Sequence, residues 1–176
     1  MALPLLAPGV IMTANEFVAV NFRLWQQQSA TRRRHWLLGA ALFLLSVSVG
    51  LDAAQNGRIS NSNTVLFLGL GALYGLFRLR LVRYQLRRGY AKNVVLHAPT
   101  DFTFDAEMLR GHTDNSRFEA RWSAMRRAVW VKPNWLLLYP TETACYYVDL
   151  RRLQAPATPE QLLALVREAG ISVREL

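Results

Sequence analysis

Three histidines, one cysteine and a scatter of carboxylates are the side chains in this 176-residue chain that could do acid–base, nucleophilic or metal chemistry. His35, His97 and His112 lie far apart, and none stands in a metal-ligand spacing. Cys145, between Ala144 and Tyr146, sits in a stretch that reads as strand, where a free cysteine behaves as a small core hydrophobe. A catalytic dyad would need folding to join His112 with Asp114, or Cys145 with His97. Asp101, Asp105 and Glu107 would chelate a cation only if they converged, yet strand alternation puts the first two on one face and Glu107 beyond it. Gly69, Gly71 and Gly75 are followed by no basic or hydroxyl residue at phosphate-loop spacing. Trp122, Trp130, Trp135, Tyr139, Tyr146 and Tyr147 would suit a base-stacking platform, but the region holding them is electrically neutral. They are expected in the core. These residues predict no enzyme, no metal, no cofactor and no nucleic-acid partner.

Charge then organises the chain. The net charge is +9, from 21 Lys+Arg against 12 Asp+Glu. Met1 to His35 carries +3, Trp36 to Phe77 is neutral, Arg78 to Lys92 carries +6, and Asn93 to Leu176 is neutral. All the excess therefore lies in two blocks flanking one apolar region. Trp36 to Leu51 has no charged residue and extends through Asp52, Ala53 and Ala54; Thr64 to Phe77 is likewise uncharged and reaches Val82 if Arg78 and Arg80 snorkel to headgroups. Each run then approaches the ~30 Å of a bilayer core. Neither has the polar stripe of a helix packed on a soluble domain. Positive charge at the outer ends of both runs predicts cytoplasmic termini. Topology and lipid-headgroup roles fall to Arg32, Arg33, Arg34, Arg78, Arg80, Arg83, Arg87 and Arg88. Gly71-xxx-Gly75 and Ser46-xxx-Gly50 read as small-residue helix contacts, packing the hairpin in the first place, with a homodimer seam as the alternative.

Four segments follow. Residues 1–35 hold a leader and an amphipathic helix opened by a Thr13/Glu16 capping box, lying either on the membrane surface or on the C-terminal domain. A reading frame from Met12 is as sensible as one from Met1, which makes Met1 to Ile11 a poorly ordered leader without the basic start of a signal peptide. Residues 36–82 form a two-helix transmembrane hairpin, turning between Asp52 and Asn63. Residues 83–92 form a basic juxtamembrane helix that Gly89 weakens at its end. Residues 93–176 read as a cytoplasmic α+β domain, an antiparallel meander of about five strands closed by a C-terminal helix. That helix has Thr158 as cap, Pro159 at its first position, Gln161 completing a capping box and Gly170 at its end.

Arg121, Trp122, Ser123, Ala124 and Met125, then Ala128 to Lys132, Trp135 to Pro140 and Tyr146 to Leu153, resemble the YcxB-like family of small bacterial membrane proteins. The resemblance covers roughly residues 93–170, and the hairpin by architecture; Asp149 stands where that family commonly has proline. It implies a pleckstrin-homology-like (PH-like) domain and carries over no catalytic residue. The function expected is a non-enzymatic inner-membrane protein whose cytoplasmic domain binds an unknown protein partner or the headgroups of anionic membrane lipids. Two readings stand beside it: an immunity protein against a membrane-acting toxin, and a membrane-bound enzyme with an unrecognised site.

Overall fold

The computed structural model describes residues 4–58 and 61–176. The chain divides into two units: one takes it up to Val20 and again from Gly89 to Leu176, the other is Asn21–Arg88.

The second unit carries two helices long and apolar enough to cross a membrane, α2 (Ser29–Asn56) and α3 (Ser62–Lys92). At 1.5 Å per residue they run ~42 and ~46 Å, longer than a bilayer core, so each continues past its apolar stretch. Helix α3 is unbroken through Gly89 into the first unit, so the glycine does not end it as expected. A single glycine's helix penalty of ~1 kcal/mol is too small to stop a 31-residue helix. The connector is shorter than the expected 52–63 turn because α2 runs to Asn56; Ile59 and Ser60 lie outside the described residues. Asp52 accepts from Asn56 Nδ2 (2.7 Å) and the Asn61 backbone N–H (3.2 Å), and Asn61 Oδ1 accepts from the Thr64 N–H (3.2 Å). The one acid in the apolar region thus ties off the hairpin tip.

The first unit is α+β. Its strands form two four-stranded sheets, not one meander of five. The first has the order β1 (Leu5–Val10), β2 (Thr100–Phe104), β3 (Met108–Thr113), β4 (Ser116–Arg121), all antiparallel. The chain crosses to the second sheet through a short 3-10 turn at Trp122–Ala124, whose indole N–H donates to the Asp105 carbonyl (2.8 Å). That sheet has the order β7 (Tyr146–Asp149), β6 (Trp135–Tyr139), β5 (Arg127–Val131), β8 (Val173–Glu175), with β5 and β8 parallel. Helix α4 (Pro159–Glu168) carries the expected Thr158/Gln161 capping box and buries Leu162, Leu163 and Val166.

Strand β1 corrects the expectation of a disordered leader. Leu5 to Val10 pairs with β2, with Ala7 opposite Phe102, and Ala7 and Val10 are buried. Pro8 and Gly9 signal a break, yet an edge strand tolerates both at a bulge. Gly9 adopts φ +60, and its N–H donates to Asp101 Oδ1 (2.6 Å), so a carboxylate held available for a cation instead fixes the bulge. The free edge of β1 is met in turn by Gln154, whose N–H donates to the Leu6 carbonyl (2.9 Å).

The core lies between the sheets. Phe118 of β4 stacks on Tyr146 of β7 (centroids 4.7 Å apart, 5° between planes) and edges Phe102 (6.1 Å). Its ring crosses Gly111 of β3, where a Cβ would lie 2.0 Å from Phe118 Cζ.

Candidate membrane-boundary site

Helix α1 (Ala14–Gln27) begins in the first unit and ends in the second. The Thr13/Glu16 capping box forms as expected: Glu16 Oε2 accepts from the Thr13 N–H (3.0 Å), and Thr13 Oγ1 from the Glu16 N–H (3.3 Å). The first half packs on the domain, with Phe17 against Tyr90 (5.5 Å) and Tyr147 (6.0 Å). Tyr90, near the end of α3, donates to the Met12 carbonyl (2.7 Å). An ion cluster unforeseen in the sequence completes this joint. Asp149, 3% exposed, accepts from Arg151 N (3.0 Å), Nε (2.8 Å) and Nη2 (2.8 Å), and Arg151 Nη2 also reaches Glu16 Oε1 (2.6 Å). Burial alone would raise the Glu16 pKa, but the Thr13 N–H, Arg151 and the Thr13 hydroxyl outweigh it and hold it below the usual carboxylate value.

The second half of α1 meets α2 and α3 where their basic ends begin, all within the second unit. Phe22 stacks on Trp25 (5.6 Å), Trp25 meets His35 edge-on (5.7 Å), Arg83 Cζ lies 4.7 Å from the Phe22 ring, and Arg78 Cζ lies 5.3 Å from Trp25 and 5.9 Å from Tyr74. The result is a ladder of alternating cations and rings. Arg78 is its least exposed member, at 8%. Arg32, Arg33, Arg34, Arg80, Arg83, Arg87 and Arg88 are all exposed, and Arg80 lies over Phe77 (5.9 Å).

Helix register explains why Arg78 and His35 both reach Trp25. A Cβ on Gly71 would lie 2.8 Å from Leu42 Cδ2, and one on Gly75 3.7 Å from Leu38 Cδ2. Four residues along α3 thus match four residues back along α2, as antiparallel helices require. The same register sets Arg78 level with His35 and Asn61 level with Asp52, where a hydrogen bond joins them. Gly71 and Gly75 therefore serve contacts inside the hairpin. Ser46 Oγ donates to its own helix at the Leu42 carbonyl (2.8 Å), and a Cβ on Gly50 would meet nothing within 4 Å, so the expected Ser46/Gly50 contact does not form within the described chain.

Two concavities accompany these residues. Along α2, a groove of about 500 Å³ is lined by His35, Trp36, Gly39, Ala40 and Phe43. In the first unit, a groove of about 670 Å³ lies between the start of β1 and α4, lined largely by Leu5, Leu6, Phe104, Ala164 and Leu165.

The groups tested for chemistry do not converge. His112 Nδ1 accepts from Arg117 Nε (3.2 Å), and His97 packs on Tyr90 (4.7 Å). Cys145 lies just before β7, and burial pushes its thiol pKa up against the opposing influence of Tyr147 and Tyr139. Asp105 pairs with Arg110. Among the described residues no group of three His, Cys, Asp or Glu is placed to hold a metal. Trp122, Trp135 and Tyr139 are buried, and Trp130, Tyr146 and Tyr147 partly so. No family model matches the chain, and neither does any curated protein or solved structure.

Proposed function

We propose that this is a two-span protein of the bacterial inner membrane, with both termini cytoplasmic, whose domain is a non-catalytic binding module resting on anionic lipid headgroups and serving a protein partner. The observation that carries the reading is the pairing of β1 with β2. These strands flank α2 and α3, so the chain between them must return to the side it left, which two crossings achieve and one cannot. The lysine and arginine excess at the outer ends of both helices puts that side in the cytoplasm. Two sheets with a closing C-terminal helix support a PH-like module of the YcxB-like kind. The exposed stripe Arg80, Arg83, Arg87 follows the second span directly, where each arginine is worth about 1 kcal/mol of attraction to an anionic leaflet.

The full-length chain tests this, since a fragment starting after the hairpin lacks β1 and α1. Reporter fusions after Gln28, Asn56 and Leu176 should read inside, outside, inside. In nanodiscs, amide-exchange protection of residues 80–92 should rise with the anionic-lipid fraction, fall with salt, and lose its lipid dependence when Arg80, Arg83 and Arg87 all become Gln. Protection indifferent to lipid charge would leave these arginines as topology determinants alone and overturn the headgroup reading.

A further inference from the structure

Arg78 is the observation left over. Its guanidinium is flanked by Trp25 and Tyr74, and among the described residues no carboxylate pairs with it and no hydrogen bond engages it. Ring faces attract a cation but accept few of its five N–H donors. The side chain is largely covered, yet none of its nitrogens is a buried atom without a partner, so its N–H groups reach the surface, and planar, bidentate recognition of phosphate is what a guanidinium does best there.

What surrounds Arg78 narrows the anion to one source. His35 touches the same indole and stands level with Arg78 across the hairpin. From His35 a groove runs along α2, opened by Gly39 and Ala40 and walled by Trp36 and Phe43, which are 77% and 67% exposed. His35 to Phe43 spans eight residues, ~12 Å of helix. Arg32 lies on the same helical stripe as Trp36, Gly39 and Phe43, directly above the groove's mouth. A guanidinium whose N–H groups reach the surface, level with the head of an apolar groove ~12 Å long, matches the polarity of one lipid molecule.

We propose that the second unit holds a single anionic phospholipid, its phosphate bound by Arg78 with His35 and Arg32 and one acyl chain lying against Gly39 and Ala40 between Trp36 and Phe43. This rests on reading α2 and α3 as spans. It goes beyond a basic surface, because it places one buried arginine and one groove on the same molecule of lipid. Arg58, exposed past the opposite end of α2, takes no part.

The test is native mass spectrometry of the full-length chain released from nanodiscs containing equal phosphatidylglycerol and phosphatidylcholine. One phosphatidylglycerol should be retained per chain in preference to phosphatidylcholine. Arg78→Gln should reduce that retention about tenfold, Arg78→Lys should restore part of it by charge without the planar fork, and Arg58→Gln should leave it unchanged. Gly39→Leu, which fills the groove without touching charge, should reduce retention of either lipid. Equal retention of the two lipids, or retention unchanged in both Arg78→Gln and Gly39→Leu, overturns the site. A two-chain mass that Gly39→Leu abolishes assigns the groove to a second copy and overturns it as well. Reporter fusions on each variant separate the two levels: correct insertion without lipid sinks the lipid site alone, whereas failed insertion of the unsubstituted chain sinks the span reading beneath it.

Discussion

Ala7 offers a sharp test of how the chain is assembled, because its importance depends on the pairing of residues 5–10 with a strand more than ninety positions away. Ala7 is 0% exposed and sits opposite Phe102, itself buried, whereas its neighbour Leu6 is 40% exposed. Ala7→Asp would bury a carboxylate with no cation beside it. Full burial raises such a pKa by up to 3–5 units; the acid is protonated once its pKa passes 7, so the cost at pH 7 saturates at about 4 kcal/mol, 1.36 kcal/mol for each of the ~3 units between the unfolded pKa and 7. That approaches the whole stability of a marginal domain, about 5 kcal/mol. Leu6→Asp places the same charge in water and should cost little. Cys145, the single cysteine, is the reporter: its thiol is largely shielded and its pKa raised, so alkylation in nanodiscs is slow until the domain opens. Ala7→Asp should label far faster than Leu6→Asp. Lowering the pH toward 5 should narrow the gap, since a folded pKa raised above the unfolded value costs stability as pH rises between the two. Ala7→Asn, matched in size but uncharged, should destabilise without that pH dependence. Equal labelling of Ala7→Asp and the unsubstituted chain would mean that residues 5–10 are not a strand, and the two-crossing argument would fall with it.

Gly111→Ala should destabilise the domain by about 2–4 kcal/mol, because displacing the Phe118 ring from its seat over Gly111 gives up both its burial and its stack on Tyr146; in a Phe118→Leu background the same change should cost much less, and an equal cost in both would refute the ring as the cause. The Glu16 carboxylate, held below its ordinary value of 4.5, contributes stability that is complete above that value and lost as pH falls through the lowered one. Glu16→Gln should therefore cost about 1 kcal/mol at neutral pH and flatten the acid limb of a thermal-unfolding series between about pH 3 and 5, while an unchanged acid limb would place the Arg151 contact outside the energetics.

What could be read in the residues was what local chemistry decides. Helices α1 and α4 announce themselves because a capping box and an apolar face lie within a dozen residues of one another, with a proline besides at the start of α4. Helices α2 and α3 are legible because length and apolarity are both properties of a continuous stretch. Strand β1 was hidden because Pro8 and Gly9 are breakers by local rule, and only Asp101, in β2, makes a bulge there favourable. Strand β8 has three residues, too few for any alternation to show. Arg78 looked like every other arginine after the second span. Its burial follows from the hairpin register and from Trp25 on a different helix, neither of which is written near residue 78.

The position of the hairpin between β1 and β2 also constrains how the protein reaches this structure. When Leu5 to Val10 leaves the ribosome its partner strand does not exist; about ninety residues, including both apolar helices, separate Ala7 from Phe102. Such non-local pairing carries a large loop-closure cost and is slow. The hairpin of α2 and α3 lowers that cost, because Asp52 with Asn61 at the tip and Gly71 with Leu42 along the helices bring the two ends of the intervening segment to the same end of the hairpin. The Tyr90 bond to the Met12 carbonyl and the Glu16–Arg151–Asp149 cluster then join the segments before and after the hairpin. A hairpin inserted with only one crossing would strand β1 across the bilayer from β2, leaving Phe102 and Phe104 without a cover. On the proposed two-span reading, completion of the sheet depends on correct insertion of both helices, and the domain folds on a chain whose hairpin is already in place.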